Sequence, residues 1–339
     1  MTVPHASPRV TPRVTVVIPT YNAAHWLPES VASVLAQDLQ DFELLVLDNA
    51  STDDTPAVMR RYADPRISYR RNEVNLGLAG NVHRGCRDAQ GEFLLVLGAD
   101  DRLLPGFLSA AVAFLKAEPA VSMVHGPAAW IDAQGRRFGG TAGGWPRITP
   151  GARAMLDAFG AGFCFSTMVM RVAAIRATGP FDEGWREVID LWLFLRMCLA
   201  GKVGYLDRVL CEYRVHDAAM SMPMYRDNLM FRRQMHAARE CFAWPEAVAA
   251  GAAVHRRAAE RHVAAIAVAV LHMSRSAGYA RFLRNLAEVV TAVPEVLLRP
   301  ATWARLGFGL LPAAAIRGLG RWRHRRALSR QASALPRLG

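Results

Sequence analysis

Asp100 and Asp101 stand side by side just after an unbroken apolar run, Phe93-Leu94-Leu95-Val96-Leu97, which stops at Gly98. The run reads as a β-strand buried on both faces. In an open α/β sheet such a strand delivers the residues that follow it to the crevice beyond its carboxyl end, where ligands bind. Two neighbouring carboxylates there repel each other and resist joint desolvation, so a positive group belongs beside them. A divalent cation shared with phosphate oxygens meets that need. The structural alternative is an Asp-Asp turn ahead of the helix that begins near Leu104-Pro105.

The elements that position this pair repeat a simple pattern. Val14-Thr15-Val16-Val17-Ile18 is a second buried-strand signal, broken by Pro19-Thr20-Tyr21-Asn22. Leu27, Val31, Val34 and Leu35 then recur at helical spacing. Phe42-Glu43-Leu44-Leu45-Val46-Leu47 ends at Asp48, and the loop from Asn49 to Thr55 supplies caps for a helix after Pro56. Ile67-Ser68-Tyr69-Arg70 is a short strand, and Asn75-Leu76-Gly77-Leu78-Ala79-Gly80-Asn81 a turn that opens a helix. Strand and helix alternate, and polar residues cluster at strand ends, which predicts a doubly wound α/β sheet. No G-x-G-x-x-G follows the first strand and no G-x-x-x-x-G-K-[ST] occurs, which argues against dinucleotide oxidoreductases and phosphate-loop nucleotidases.

From Ser122 to Gly151 the pattern is irregular, with short strands at Met123–His125 and Ala129–Ile131. The Gly-rich piece Phe138–Trp145 reads as a mobile loop. Thr167–Met170 is another strand, and Phe181–Trp185 leads into the helix that starts at Asp190. Lys202–Tyr205 and Val209–Tyr213 finish the sheet, followed by Arg214-Val215-His216. Beyond that the chain is Ala- and Arg-rich and helical, interrupted near Pro245, Pro294, Pro300 and Pro312.

With 339 residues, 52% hydrophobic and 21% charged, the chain is globular, and no apolar run reaches bilayer length. The five cysteines are scattered and in no metal-ligand spacing, as expected of reduced packing residues. Residues 1–216 hold 22 Lys+Arg and 22 Asp+Glu, whereas residues 217–339 hold 19 Arg and 7 Asp+Glu, so the whole net charge of +12 sits in the last third. This divides the chain into a loose tail over 1–12, an α/β domain over 13–216 and a basic, mostly helical extension over 217–339. In the extension, Arg317–Arg326 packs five Arg around Trp322, downstream of Trp303, Phe308, Leu310 and Leu311. That composition suits an interfacial anchor on anionic lipid. A solvated Arg-rich helix is the plain alternative, and nucleic-acid binding lacks any accompanying reading module.

Taken together, four motifs resemble those of the family 2 inverting glycosyltransferases, over roughly residues 13–216. Val16-Val17-Ile18-Pro19-Thr20-Tyr21-Asn22 looks like that family's opening strand and nucleotide loop. Asp48-Asn49-Ala50-Ser51-Thr52-Asp53 looks like its Asp-Asp-Gly-Ser-Thr-Asp loop, and Gly98-Ala99-Asp100-Asp101 like its Asp-x-Asp-Asp metal motif. Asp190-Leu191-Trp192-Leu193-Phe194-Leu195-Arg196 looks like its Glu-Asp-x-x-Leu-x-x-Arg helix, with the Arg shifted by one. The resemblance implies a GT-A fold, a Rossmann-like doubly wound mixed sheet with a C-terminal helical extension here. It also implies a UDP- or dTDP-sugar donor and a glycan or lipid-linked acceptor, in bacterial cell-surface polysaccharide assembly.

The resemblance assigns roles residue by residue. Pro19, Thr20, Tyr21 and Asn22 would line the nucleotide, with Tyr21 stacking on the base or simply packing. Asp48 would accept from the base N3–H, or serve as a turn Asp. Asn75 would lie near the nucleotide, or shape a turn. Ala99 and Asp100 would face the donor, Asp100 as ligand to Mn²⁺ or Mg²⁺. His216 would complete the metal site or contact the diphosphate. Asp190 would be the general base, with Glu187 its rival. Two positions depart from the pattern, Gly98 for an acid and Ile189 for Glu. Both keep alive a catalytically silent sugar-nucleotide-binding or scaffold homologue. The implied location is cytoplasmic, with peripheral attachment to the inner membrane through the basic tail and no nucleic-acid partner.

Overall fold

A computed structural model of the chain describes residues 11–303 and 306, apart from 142, 161, 162, 217–220, 273 and 275–277. The first ten residues and the Arg317–Arg326 segment lie outside the described residues. The chain forms two compact units, one of residues 1–130 and 140–214, the other of 131–139 and 215–339.

The first unit is built on strands β1 (Val14–Thr20), β2 (Phe42–Asp48), β3 (Ile67–Arg71), β4 (Phe93–Val96), β5 (Arg102–Leu103), β6 (Val121–His125), β7 (Ala128–Ile131), β9 (Ile148–Thr149), β10 (Val169–Arg171), β11 (Lys202–Tyr205) and β12 (Cys211–Arg214). Strand β8 (Arg137–Gly140) falls at the unit boundary. Helices α1 (Leu27–Leu35), α2 (Thr55–Met59), α3 (Gly77–Asp88), α4 (Phe107–Ala117), α5 (Gly151–Ala158), α6 (Val172–Ala177) and α7 (Ile189–Ala200) join them.

Eight strands make one sheet in the order β3-β2-β1-β4-β10-β6-β11-β9. Strand β1 runs parallel to β2 on one side and β4 on the other, in the registers Thr20↔Asp48 and Val17↔Val96. The chain order therefore reverses between β1 and β4, which makes that pair the topological switch point of the sheet. Strand β10 is antiparallel to both β4 and β6, and β11 is parallel to β6, so β1, β2, β4, β6 and β11 all end at one edge. The β-branched and leucine runs of β1, β2 and β4 are buried on both faces, as central strands under helices must be.

Three readings of the sequence change. The segment 211–214 does not finish the main sheet; it pairs antiparallel with β5 in a small separate sheet. The strand near Thr167 starts later, at Val169, because Phe165–Thr167 forms a 3₁₀ turn. The Gly-rich piece is not simply a loop. Phe138–Gly140 belongs to β8, and Trp145 is 8% exposed against His125 and Phe194. Burial of one such ring outweighs the freedom the neighbouring glycines confer, at roughly 1.5–3 kcal/mol for a large apolar side chain.

The second unit is helical, with α8 (Ser221–Arg226), α9 (Leu229–Glu240), α10 (Pro245–Ala249), α11 (Arg256–Val270) and α12 (Tyr279–Ala292). Helix α11 packs on α9 and α12 through Ala259, Val263, Ala267 and other buried small residues. Its buried Glu260 is offset by Arg239, Arg256 and Arg257. Among the described residues no helix is long and apolar enough to cross a membrane.

Candidate active site

The loops after β1, β2 and β3 are tied into one rim. Asn49 N–H donates to the Thr20 carbonyl at 2.8 Å, and Asn72 N–H to the Asp48 carbonyl at 2.7 Å. Asn22 holds a left-handed backbone, φ 50°, that a non-glycine residue adopts only with local support. That support is its own hydrogen bonding: Asn22 N donates to Ser51 Oγ, and its Oδ1 accepts from Thr52 N at 2.7 Å. Tyr21, beside it, is 49% exposed, with its ring available for stacking. Pro19 is half-buried, and Thr20 is buried with an Oγ1 that has no hydrogen-bond partner.

Asp48, expected either against a base or as a turn Asp, is 0% exposed. One oxygen accepts from Ser51 N–H at 2.9 Å, and the other from Tyr69 Oη, with the Arg71 guanidinium at 3.3 Å. As the last residue of β2 it points at β3 and braces the loop from behind. Asn75 also shapes a turn: it is exposed, but its Oδ1 accepts from Asn49 Nδ2 at 2.7 Å and from Gly77 N at 2.8 Å.

The turn after β4 is anchored from three directions. Leu97 N–H donates to the Val17 carbonyl, and Asp101 N–H to the Gly98 carbonyl. From α1, Ser30 Oγ lies 2.6 Å from the Asp101 carbonyl and 2.9 Å from that of Ala99. Asp101 itself is 2% exposed and serves as the hub of the turn. Ser166 Oγ donates to its Oδ2 and Arg214 N–H to its Oδ1. Burial, with the Asp100 charge beside it, pushes the Asp101 carboxyl up to about 7. The buried Arg214 side chain donates from Nε to the Asp100 carbonyl at 2.8 Å, pairs with Glu29 at 2.6 Å and lies over the Trp26 ring.

Ser30, Ser166 and Arg214 were not singled out in the sequence. Only Arg214 left a signal there, as a cation set two residues before His216. Gly98 has a spatial reason. A Cβ at that position would lie 2.7 Å from Asp101 Oδ2 and 3.0 Å from Asp100 Oδ1, so the two carboxylates occupy the space a side chain would need.

Asp190 opens α7, in whose first turn a carboxylate is favoured by the helix dipole. Helix α7 packs on β6 and β11, ends at Ala200, turns at Gly201 and enters β11. A helix feeding a parallel strand runs against it, so the start of α7 lies toward the edge where β1, β4 and β6 end. Twelve residues carry it back about 18 Å along the sheet. Asp190 is half-buried, its Oδ1 accepts from Leu191 N–H at 2.8 Å, and burial holds its carboxyl above the ordinary range. Glu187 is also half-buried, with Arg186 Nε at 3.4 Å from its Oε1. Ile189 is 3% exposed, so a glutamate there would be a charge among apolar groups.

The donors on this edge suit one kind of metal. Asp101 is withdrawn by burial and spends both oxygens inside the protein, which leaves half-buried Asp100 as the other carboxylate of the turn. Among the described residues no group of three or more His, Cys, Asp or Glu could hold a metal by itself. A single carboxylate fits a hard cation that takes its other ligands from phosphate oxygens and water. His216 is half-buried and belongs to the second unit.

Residues 15–178 match the profile of glycosyl transferase family 2. The chain is 32% identical over 190 residues to the putative glycosyltransferase EpsE of Bacillus subtilis (strain 168), a match covering 54% of this chain and 66% of that protein. It is 39% identical over 101 residues to the GalNAc(5)-diNAcBac-PP-undecaprenol beta-1,3-glucosyltransferase of Campylobacter jejuni, covering 29% of this chain and 33% of that enzyme. These matches span from a third to just under two thirds of the curated relatives' length. The crystal structure of S. aureus TarS 1-349 in complex with UDP superposes with a TM-score of 0.56 at 19% identity, covering 87% of each chain. That likeness is one of fold.

Proposed function

We propose that this chain, whose residues 15–178 match glycosyl transferase family 2, moves a sugar from a nucleoside diphosphate donor to an acceptor hydroxyl, inverting the anomeric centre. The observation that carries this reading is the shared edge: the Gly98–Asp101 turn, the Pro19–Asn22 loop and the start of α7 all lie where the parallel strands end. Pro19, Thr20, Tyr21 and Asn22 receive the nucleotide, with Tyr21 stacked on the base and the unpartnered Thr20 hydroxyl available to a donor group. Asp48 and Asn75 hold the loop in shape behind it.

Ala99 and Asp100 face the diphosphate. Asp100 would hold Mg²⁺ or Mn²⁺, which neutralises charge on the leaving diphosphate. Asp190 accepts the proton of the acceptor hydroxyl as that oxygen attacks the anomeric carbon from the side opposite the diphosphate. The new glycosidic C–O bond forms, the C–O bond to the diphosphate breaks, and the nucleoside diphosphate departs with the electron pair. One displacement converts an α-linked donor into a β-linked product. The raised pKa of Asp190 makes it a stronger base, and turnover should fall as pH drops and the carboxylate takes up a proton.

A UDP- or dTDP-sugar donor is supported by the fold shared with TarS, solved with UDP, and a lipid-linked acceptor by the undecaprenol diphosphate named for the Campylobacter relative. The alternative is a catalytically silent sugar-nucleotide-binding or scaffold homologue, which Gly98 and Ile189 in place of acids favour. In the second unit, Leu298 is 82% and Trp303 60% exposed, with exposed Arg299 between them, which supports contact with an anionic bilayer at the cytoplasmic face.

Calorimetric titration of UDP with and without Mn²⁺ tests the donor site. We expect Mn²⁺ to tighten UDP binding at least tenfold and Asp100→Asn to abolish that gain. An unchanged Mn²⁺ effect in Asp100→Asn would remove Asp100 from the metal, and no binding of any uridine, thymidine or guanosine diphosphate would remove the donor reading.

A further inference from the structure

The peptide between Asp100 and Asp101 is bonded at both of its ends. Its carbonyl, on Asp100, accepts from Arg214 Nε at 2.8 Å, and its N–H, on Asp101, donates to the Gly98 carbonyl at 3.1 Å. A peptide unit is planar, so holding both ends fixes the backbone on the carboxyl side of Asp100. On the amino side, Ser30 Oγ lies 2.9 Å from the Ala99 carbonyl oxygen, but it also lies 2.6 Å from that of Asp101 and 3.3 Å from that of Gly98. A hydroxyl has one proton to give, so three carbonyls share it. Arg214 therefore provides the firmer hold on the direction in which Asp100 projects its side chain.

Arg214 is in turn fixed. Its side chain is 1% exposed, its Nη2 lies 2.6 Å from Glu29, and its guanidinium carbon sits 4.3 Å from the centre of the Trp26 ring. Its own N–H donates to Asp101 Oδ1 at 2.9 Å, so this one residue grips both acids of the turn. Glu29 also meets Arg102 at 3.1 Å, and Arg102 meets Glu212 at 2.7 Å. Four alternating charges, Glu212, Arg102, Glu29 and Arg214, thus link α1, β5 and β12 within the first unit. A desolvated guanidinium needs such compensation, and its planar fork serves partners in fixed directions that a lysine ammonium cannot match.

We propose that Arg214 is a positioning residue for the cation site, setting metal affinity by fixing the direction of the Asp100 carboxylate. The proposal rests on the transferase reading with Asp100 as cation ligand. At 1% exposure the guanidinium has no surface to offer a phosphate, so it acts through Asp100 and not on the donor. Where one protein carboxylate holds a cation, no second ligand of the turn compensates for a misplaced first, and the supporting contacts decide the affinity.

The test measures Mn²⁺ binding to the full chain at saturating UDP, by the electron paramagnetic resonance signal of free Mn²⁺, beside calorimetric UDP binding without metal. Arg214→Lys should raise the Mn²⁺ half-saturation concentration at least tenfold and leave metal-free UDP affinity within twofold of wild type. Glu29→Gln, at a side chain 44% exposed, should shift Mn²⁺ the same way by at least threefold, and it decides the matter if Arg214→Lys does not fold. Arg171→Lys is the structural control. That arginine bonds the Val121 carbonyl and lies over Phe93, at the opposite end of β4 from the turn, and its loss should leave Mn²⁺ half-saturation within twofold. Wild-type Mn²⁺ affinity in folded Arg214→Lys, or in Glu29→Gln where Arg214→Lys does not fold, would overturn the proposal and leave the transferase reading standing. So would an equal loss in Arg171→Lys, which would make the effect a general loosening, or a parallel loss of metal-free UDP binding in Arg214→Lys. Failure of the wild type to bind UDP at all would instead strike the transferase reading itself.

Discussion

Gly98 occupies a position where the neighbouring carboxylates, not the backbone, forbid a side chain. Asp101 Oδ2 cannot give way cheaply, because Ser166 and the Arg214 N–H pin that carboxylate in a site that is 2% exposed. Gly98→Ala should therefore cost about 1–3 kcal/mol, as other overpacked buried sites do. It should also weaken UDP binding, since Asp100 shares the turn. Urea denaturation checks the first effect, and a wild-type midpoint would show that the turn can relax. The pair Asp100-Asp101 was legible in the sequence as a turn after a buried strand, but the different surroundings of its two carboxylates were not. Adjacent residues on a turn point different ways, and only the long-range partners Ser166 and Arg214, 65 and 113 positions away, decide which carboxylate is withdrawn. The choice between the two readings of Asp48 was hidden for the same reason: its partner Tyr69 lies on a strand 21 residues on.

At the scale of elements, the strands could be read well because their apolar runs are long and β-branched. The small sheet and the Trp145 segment could not, since short strands and buried loop aromatics depend on distant contacts. His125, at the end of β6, shows what that packing costs. It is 1% exposed, ringed by Trp145, Phe194 and Tyr205, and burial pushes its pKa down to about 3. The unfolded chain protonates this histidine near the ordinary value of about 6.5, so the unfolded state binds more protons below that pH. Its contribution to stability is thus complete above pH ~6.5 and declines as pH falls toward the folded value. His125→Phe should flatten this slope. Between pH 7 and pH 4.5 the variant should lose roughly 2 kcal/mol less than the wild type, read from urea midpoints at the two pH values. Parallel losses in both proteins would mean that His125 is protonated in the folded state.

For the molecule as a whole, the uneven charge is the feature the sequence displayed most openly. The first 216 residues are balanced, and the last 123 carry the entire excess of twelve positive charges. Where those charges act depends on the apolar groups among them, and Leu298 and Trp303 were legible only as composition until their exposure was known. Vesicles containing anionic lipid should float with the protein at low salt and release it at high salt. Leu298→Glu, at a side chain 82% exposed, should reduce that association without altering the fold. Salt-insensitive flotation, or none, would leave the basic part a solvated surface.

The α7 start bears most of the catalytic reading, because it brings a carboxylate from far along the chain to the edge where the nucleotide loops end. Asp190→Asn keeps the shape and removes the proposed base. Measured together on one preparation, UDP affinity should stay within about threefold of wild type while sugar transfer falls about a hundredfold or more, the scale expected when a general base is lost. Undiminished transfer by Asp190→Asn would contradict the assignment, and so would a collapse of UDP binding, since that would make Asp190 a structural residue of the donor site.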